Sequence, residues 1–280
     1  MTTKKSIFNI EEIKRAVKTG LKESQREYIE EVKPGRRYIK TGIRGFDELF
    51  EYGIPEGSSV IIAGGAGSGK TILCLHILAN AAKAGEKCLY MSFEESEERL
   101  IQHMEDFGWN PKELIKRGNL LIKRFNSFDI ARSIDALLAK KRGELMIDVD
   151  PIILPKGFKP TRIVVDSLSS IASAFTGEQA AYRSYIEQLF GYFESIKTTS
   201  FLITETETMP RIFSPTGVEE FLADGVIVLY NIRKGDIRES AIEILKMRGA
   251  KHKKRIVAMQ IVSGVGIEVY PEQQVFADFE

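Results

Sequence analysis

Short apolar runs recur along the chain, each closed by a glycine or a polar residue. Val60-Ile61-Ile62-Ala63 runs into Gly64, Lys87-Cys88-Leu89-Tyr90-Met91-Ser92-Phe93 into two glutamates, and Arg162-Ile163-Val164-Val165 into Asp166 and Ser167. Asn119 to Phe125 and Ser200 to Glu205 have the same character. Runs of this length without alternation predict strands buried on both faces. Between them the period changes to that of helices: from Ile72 through Leu78 and on to Gly85, from about Ser96 to Phe107, from Ser127 to about Lys141, and in two stretches between Ser167 and Ser200. After Gly225 the helices stop. Gly225–Tyr230, Glu239–Met247, Arg255–Ile261 and Ile267–Tyr270 follow one another with short connections and read as antiparallel strands. Helix–strand alternation followed by a run of strands predicts an α/β fold, a mostly parallel sheet flanked by helices and extended by antiparallel C-terminal strands.

The first 35 or so residues differ from the rest, being rich in Lys and Glu with little strand character. Asn9 and Glu12 have the spacing of a capping box, with Phe8 and Ile13 placed as its staple. Ile10, Ile13, Val17 and Leu21 then share one stripe of an amphipathic helix. That stripe can dock on a neighbouring subunit or a protein partner, or pack on its own domain. Pro34-Gly35 marks a linker, dividing a helical extension (1–35) from the main domain (36–280). Thr41 to Phe50, followed by Gly53-Ile54-Pro55-Glu56-Gly57, predicts a short helix and a turn before the first buried strand. Gly143 to Lys159 lacks a helical period and reads as an inserted hairpin or loop.

Composition narrows the possibilities without naming a function. The chain has 280 residues, of which 43% are hydrophobic, enough for one large α/β domain or two small ones. Lys and Arg number 40 against 39 acids, so any nucleic-acid contact must come from a local patch rather than bulk charge. Cys74 and Cys88 fall in core-like segments with no metal-type partner nearby in sequence. With no secretory apolar segment at the start and no run long enough for a bilayer, the chain reads as cytoplasmic, without membrane attachment.

The chemistry is concentrated at the ends of the predicted strands, where open α/β sheets bind ligands. Gly64-Gly65-Ala66-Gly67-Ser68-Gly69-Lys70-Thr71 matches G-x-x-x-x-G-K-[ST] at every fixed position, with a strand before it and a helix after. The glycines let the backbone approach phosphate oxygens, and the loop N–H groups with the helix N-terminus form an anion cradle. In this pattern Lys70 reaches the β- and γ-phosphates of ATP, or the β-phosphate of ADP, and the Thr71 hydroxyl holds Mg²⁺. Asp166, after an apolar run, fits the second metal-holding position. Glu94 and Glu95 are candidates to orient and deprotonate an attacking water, against the plainer reading of acids favoured at a helix start. Glu205 and Thr206 can sense the γ-phosphate and pass its presence to Glu207–Gly217.

Taken in order, Thr41-Gly42-Ile43 with Gly45-Phe46-Asp47, Gly64 to Thr71, Phe93-Glu94-Glu95 and Val165-Asp166-Ser167 resemble the KaiC-type branch of the RecA superfamily, which includes archaeal RadA paralogues. Gly217-Val218-Glu219-Glu220-Phe221 with Ala223-Asp224-Gly225, and Leu245-Lys246-Met247-Arg248-Gly249, continue the likeness over about residues 36 to 270. Glu51-Tyr52-Gly53 departs from the family's consecutive glycines. The resemblance implies a RecA-like P-loop core in a homo-oligomeric ring, usually a hexamer, with ATP between neighbouring subunits. It also implies that Lys246 and Arg248 reach the γ-phosphate of the next subunit. Physically this is an arginine-finger arrangement, and their spacing puts both on one face of a strand. Lys251-His252-Lys253-Lys254-Arg255 continues that surface, guards an edge strand, or forms a nucleic-acid patch.

Two functions compete at this point. One is an ATPase ring acting as a regulatory or signalling switch; a minor variant of it is an autokinase using the hydroxyls of Thr206, Thr208, Ser214 or Thr216. The other is a recombination or repair accessory protein of the RadA-paralogue type, which binds DNA under ATP control. The segment Glu205 to Thr216 offers one Arg against two Glu, few cations and aromatics for a strand-binding groove.

Overall fold

The computed structural model describes residues 35–125, 154–173, 175, 179–207, 212–234 and 236–275. The chain divides between Arg37 and Tyr38 into two units, and the fold described below is that of the second, Tyr38–Glu280. The expected N-terminal helix, the helix from Ser127 to about Lys141 and the insertion up to residue 153 lie outside the described residues, as do Thr208 and Arg211.

A small antiparallel pair, β1 (Tyr38–Ile39) and β2 (Ile54–Pro55), encloses a 3-10 turn at Asp47–Leu49. Strand β3 (Ser59–Gly64) then leads to helix α1 (Lys70–Lys83). Strand β4 (Cys88–Ser92), helices α2 (Glu97–Asp106) and α3 (Pro111–Lys116) and strand β5 (Leu120–Arg124) follow. Next come β6 (Arg162–Asp166), α4 (Leu168–Ala172), α5 (Gln179–Ser195), β7 (Thr199–Glu205) and the one-turn helix α6 (Val218–Leu222). The last strands are β8 (Gly225–Lys234), β9 (Ile237–Met247), β10 (Val257–Val262) and β11 (Gly266–Gln274).

Among the described residues the main sheet has nine strands, in the order β11-β10-β9-β8-β3-β7-β6-β4-β5. Its parallel part is larger than the sequence suggests. β8 pairs in parallel with β3, Val60 opposite Gly225 and Gly64 opposite Leu229, so the antiparallel portion begins only at β9. The return crossover from β7 to β8 includes α6, whose five residues are too few to show a helical period.

Successive residues of each central strand serve opposite faces. Val60, Ile62, Tyr90, Val164 and Phe201 pack in the layer that contains α1, while Ile61, Ala63, Leu89, Val165 and Leu202 pack in the layer that contains α5. On α5, Tyr182, Tyr185, Ile186, Leu189, Phe190 and Phe193 are buried, the spacing of one helical face. Cover on both sides is why these strands lack polar alternation. The parallel register brings four strand ends to one edge, with Gly64 level with Glu205 and Ser92 level with Asp166.

Candidate active site

The phosphate loop connects β3 to α1 with a lysine folded back into it. Lys70 Nζ donates to the carbonyls of Gly64 at 2.9 Å and Gly65 at 3.0 Å. The glycines act in different ways. Gly67 and Gly69 take φ of +73° and +95°, which side chains resist. At Gly64 the constraint is space: a Cβ there would lie 2.5 Å from Ser68 Oγ and 2.6 Å from the Leu229 carbonyl. Ala66 and Gly67 form the exposed rim, Gly65 is half-buried, and Thr71 lies in the first turn of α1. Burial pulls the Lys70 ammonium below its usual pKa, and the charges of Glu205, Asp166 and Glu94 oppose that. Three predicted site carboxylates thus converge electrostatically on the predicted phosphate-binding lysine.

Asp166 sits at the end of β6, facing the first turn of α1. Thr71 Oγ1 donates to its Oδ2 at 3.3 Å and Tyr90 Oη donates to the same oxygen at 2.5 Å. Burial raises its pKa to about 6 against the Tyr90 hydrogen bond, and Glu94 and Glu95 add repulsion. Tyr90 was not among the expected site residues. Its only signal is a phenol inside an otherwise apolar run, where a buried hydroxyl needs a partner.

The donor set suits a magnesium nucleotide. Among the described residues no three His, Cys, Asp or Glu side chains are grouped to cage an ion. Thr71 and Asp166 instead offer one hydroxyl and one carboxylate, the sparse oxygen set with which Mg²⁺ is held alongside substrate phosphates. The buried Ser68 hydroxyl has no hydrogen-bond partner and belongs to the same cradle.

Glu94 and Glu95, adjacent in sequence, have different surroundings. The Ser92 hydroxyl accepts from both their N–H groups, at 3.3 and 3.0 Å, and turns the chain sharply. Glu94 Oε1 accepts from Ser167 Oγ at 2.6 Å and Ser170 Oγ at 2.9 Å, beside Asp166. Glu95 Oε2 instead lies 3.1 Å from both Arg99 Nε and His103 Nε2 on α2. The hydroxyls of Ser167 and Ser170 are also unforeseen partners; Ser167 accepts from the Ser170 N–H as the N-cap of α4. Glu205 ends β7 with its N–H on Ser169 Oγ at 3.0 Å, and the following Thr206 N–H reaches the Gly64 carbonyl at 3.2 Å.

Lys246 and Arg248 are not in this cluster. Gly225 pairs with Val60 on one side and Met247 on the other, which sets both cations level with the beginning of β3. The phosphate loop leaves β3 four residues further on, at Gly64, about 13 Å along the strand. Both cations are docked on the C-terminal carbonyls of α6, groups left without partners inside the helix. Lys246 Nζ donates to Glu220 O at 2.9 Å and Ala223 O at 2.7 Å, and Arg248 to Phe221 O at 2.7 Å and Leu222 O at 3.2 Å. Burial and the Arg248 charge lower the Lys246 pKa. Beside them Phe221 is 74% exposed and Leu245 40%.

The basic run is engaged elsewhere. Lys251 pairs with Glu51 at 3.7 Å, and Lys253 and Arg255 both pair with Glu272 at 3.0 Å. Among the described residues between β7 and α6 the only charged side chain is Glu207. No helix among the described residues is long and apolar enough to cross a membrane.

Comparison with known proteins bears on the same span. The family model "ATPase: KaiC" matches residues 39–274. The circadian clock oscillator protein KaiC of Parasynechococcus marenigrum is 31% identical over 221 residues, 77% of this chain and 41% of that protein. The circadian clock protein KaiC3 of Synechocystis sp. is 31% identical over 243 residues, 87% of this chain and 47% of that protein. The chain therefore spans about half the length of the curated relatives it matches. A crystal structure of a KaiC-like protein from Pyrococcus horikoshii OT3 aligns with a TM-score of 0.68 at 32% identity, covering 84% of this chain and 100% of the other. In this chain the mostly parallel sheet carries the phosphate loop at one end and α6 with its two cations at the other, all within the span of the family model. The chain belongs to the KaiC family of RecA-like ATPases.

Proposed function

We propose that the chain binds ATP with Mg²⁺ and hydrolyses it at sites shared between neighbouring subunits of a homo-oligomeric ring, a hexamer, and that the ring works as a regulatory switch. The observation that carries this reading is the placement of Lys246 and Arg248. They lie at the far end of the sheet from their own phosphate loop, beside exposed Phe221 and Leu245, so another copy's loop is the one they can serve. The loop N–H groups and Lys70 would hold the β- and γ-phosphates, and ADP stays in the same cradle after hydrolysis. Thr71 and Asp166 would hold Mg²⁺, which would offset phosphate charge when bound. Glu94 would take the proton of the attacking water as its oxygen bonds to the γ-phosphorus and the bond to ADP breaks. The Ser167 and Ser170 hydroxyls orient that carboxylate. Glu95, paired with Arg99 and His103, would support the turn rather than the proton transfer. Lys246 and Arg248 would supply positive charge in trans. The amphipathic stripe of Ile10, Ile13, Val17 and Leu21 is the candidate surface for a protein partner.

Mixing two inactive variants tests the shared site. Lys70→Ala removes the cradle's lysine and Arg248→Ala the neighbour's cation, a group of the kind worth about 10³-fold or more in kcat. Each alone should be nearly inactive. Mixed, the Arg248→Ala loop meets an intact cation from the Lys70→Ala subunit, and activity should rise well above the sum of the parts. Simple dilution on mixing would overturn the trans reading.

A further inference from the structure

The same short helix that holds the two cations is also tied to the phosphate-loop end of the sheet. Thr204, next to last in β7, donates its hydroxyl to the Phe213 carbonyl at 2.8 Å. The Phe213 N–H donates to Glu220 Oε2 on α6, also at 2.8 Å. From the same residue onward, the carbonyls of residues 220 to 223 carry Lys246 and Arg248. A second bond set fixes the start of the helix. Glu219, fully buried, accepts from Tyr182 Oη on α5 and from Thr216 Oγ1 at 2.9 Å. The helix is thereby anchored to α5 through Glu219, and its link towards the nucleotide end of the sheet runs through Glu220.

We propose that Glu220 is a positioning residue for hydrolysis in the adjacent subunit: by fixing α6 to Phe213, and so to Thr204 at the end of β7, it sets where Lys246 and Arg248 are presented. This rests on the shared-site reading above and adds its mechanical half. β7 is the strand next to β3, and Thr206, two residues after Thr204, is bonded to the Gly64 carbonyl of the phosphate loop. A shift at that loop therefore moves Thr204 and Phe213 and, through Glu220, the carbonyls on which the cations rest. The state of one site is thus passed to the next site around the ring by hydrogen bonds within a single subunit. A five-residue helix suits the task, since it turns as a unit and its free C-terminal carbonyls are acceptors aimed at cations.

The test is directional. Glu220→Ala should lower kcat about 10- to 100-fold with KM for ATP nearly unchanged, the size expected when a catalytic group is displaced by about an ångström. Glu220→Gln, whose amide oxygen still accepts from the Phe213 N–H, should recover most of the loss. Mixed with Lys70→Ala, Glu220→Ala should be rescued, because its own loop then meets properly held cations. Mixed with Arg248→Ala it should not be rescued, since neither subunit presents them. The reverse pattern would show that Glu220 acts on its own phosphate loop and would overturn the proposal. Should Glu220→Ala fail to fold, Thr204→Val, which deletes the hydroxyl and keeps the shape, must give the same mixing pattern or the relay is wrong. The Lys70→Ala with Arg248→Ala pair is the control. Rescue in that pair without rescue of Glu220→Ala rejects the relay alone, whereas no rescue in that pair rejects the shared site and the relay with it.

Discussion

The two ends of the parallel sheet hold the two halves of the site in opposite ways. At the carboxyl ends Lys70, Thr71, Glu94 and Asp166 are bonded to one another's elements, from β3 through α1, β4 and β6. At the amino ends Lys246 and Arg248 rest on the carbonyls of one short helix, half in solvent, beside an exposed phenylalanine. The first half is preformed by the core that supports it. The second is held by a few polar bonds and, in the proposed ring, would be completed by another subunit's surface. Preorganised groups in a dry setting give electrostatic stabilisation without reorganisation, whereas groups at a boundary can be withheld or presented. On the shared-site proposal, this division would place nucleotide binding in the rigid half and the control of turnover in the adjustable one.

Variants of the two halves should separate along that line. The largest effect belongs to Lys70→Ala, which should weaken ATP binding more than about 100-fold, read by calorimetry or a fluorescent nucleotide; this charge sits among the phosphates. Micromolar affinity retained in that variant would remove the phosphate loop from the site. Next come the adjacent glutamates. Glu94→Gln should lower kcat about 10²-fold or more with binding kept, the scale of a general base. Glu95→Gln should cost only a few-fold, since its carboxylate is taken up by Arg99 and His103. Equal losses at both positions would mean that the pair acts as one unit and that their separate hydrogen bonds do not matter for catalysis.

The rigid half was legible in the sequence and the adjustable half was not. A phosphate loop fixes residue types at fixed spacing because backbone geometry demands them, so Gly64 to Thr71 declared itself, and Asp166 followed from an apolar run ending in an acid. Glu94 and Glu95 were readable only as a pair. The Ser92 hydroxyl separates their surroundings by turning the chain, a local bond that leaves no periodic trace. The direction of β8 was hidden for a similar reason, since α6 is too short to announce a crossover. Lys246 and Arg248 drew attention through family likeness, but nothing in their spacing pointed to the carbonyls of residues 220 to 223. Those carbonyls belong to the backbone, and backbone acceptors are invisible in a sequence.

A smaller and purely physical difference lies behind the phosphate loop. His76, on α1, is buried against Trp109 with ring centroids 4.7 Å apart, and its Nδ1 accepts from the Ile267 N–H of β11 at 3.2 Å. Burial first, and then the charge of Lys83, lowers its pKa from 6.5 to about 4. Between those values the unfolded chain binds the proton and the folded chain does not. The contribution is therefore fully present above about pH 6.5 and is lost as pH falls towards 4. Its size is about 2–3 kcal/mol, from the shift at 1.36 kcal/mol per unit, reduced for partial solvation. Asp166 works in the opposite sense, because its raised pKa makes stability fall as pH rises from 3.8 to about 6. The informative quantity is thus the difference between wild type and His76→Gln in urea unfolding, from which the Asp166 effect cancels. That difference should shrink by about 2 kcal/mol between pH 7.5 and pH 4.5. Hydrogen exchange of the Ile267 amide should quicken over the same range. Parallel stability curves would mean that the anchor of α1 on β11 does not depend on a neutral imidazole.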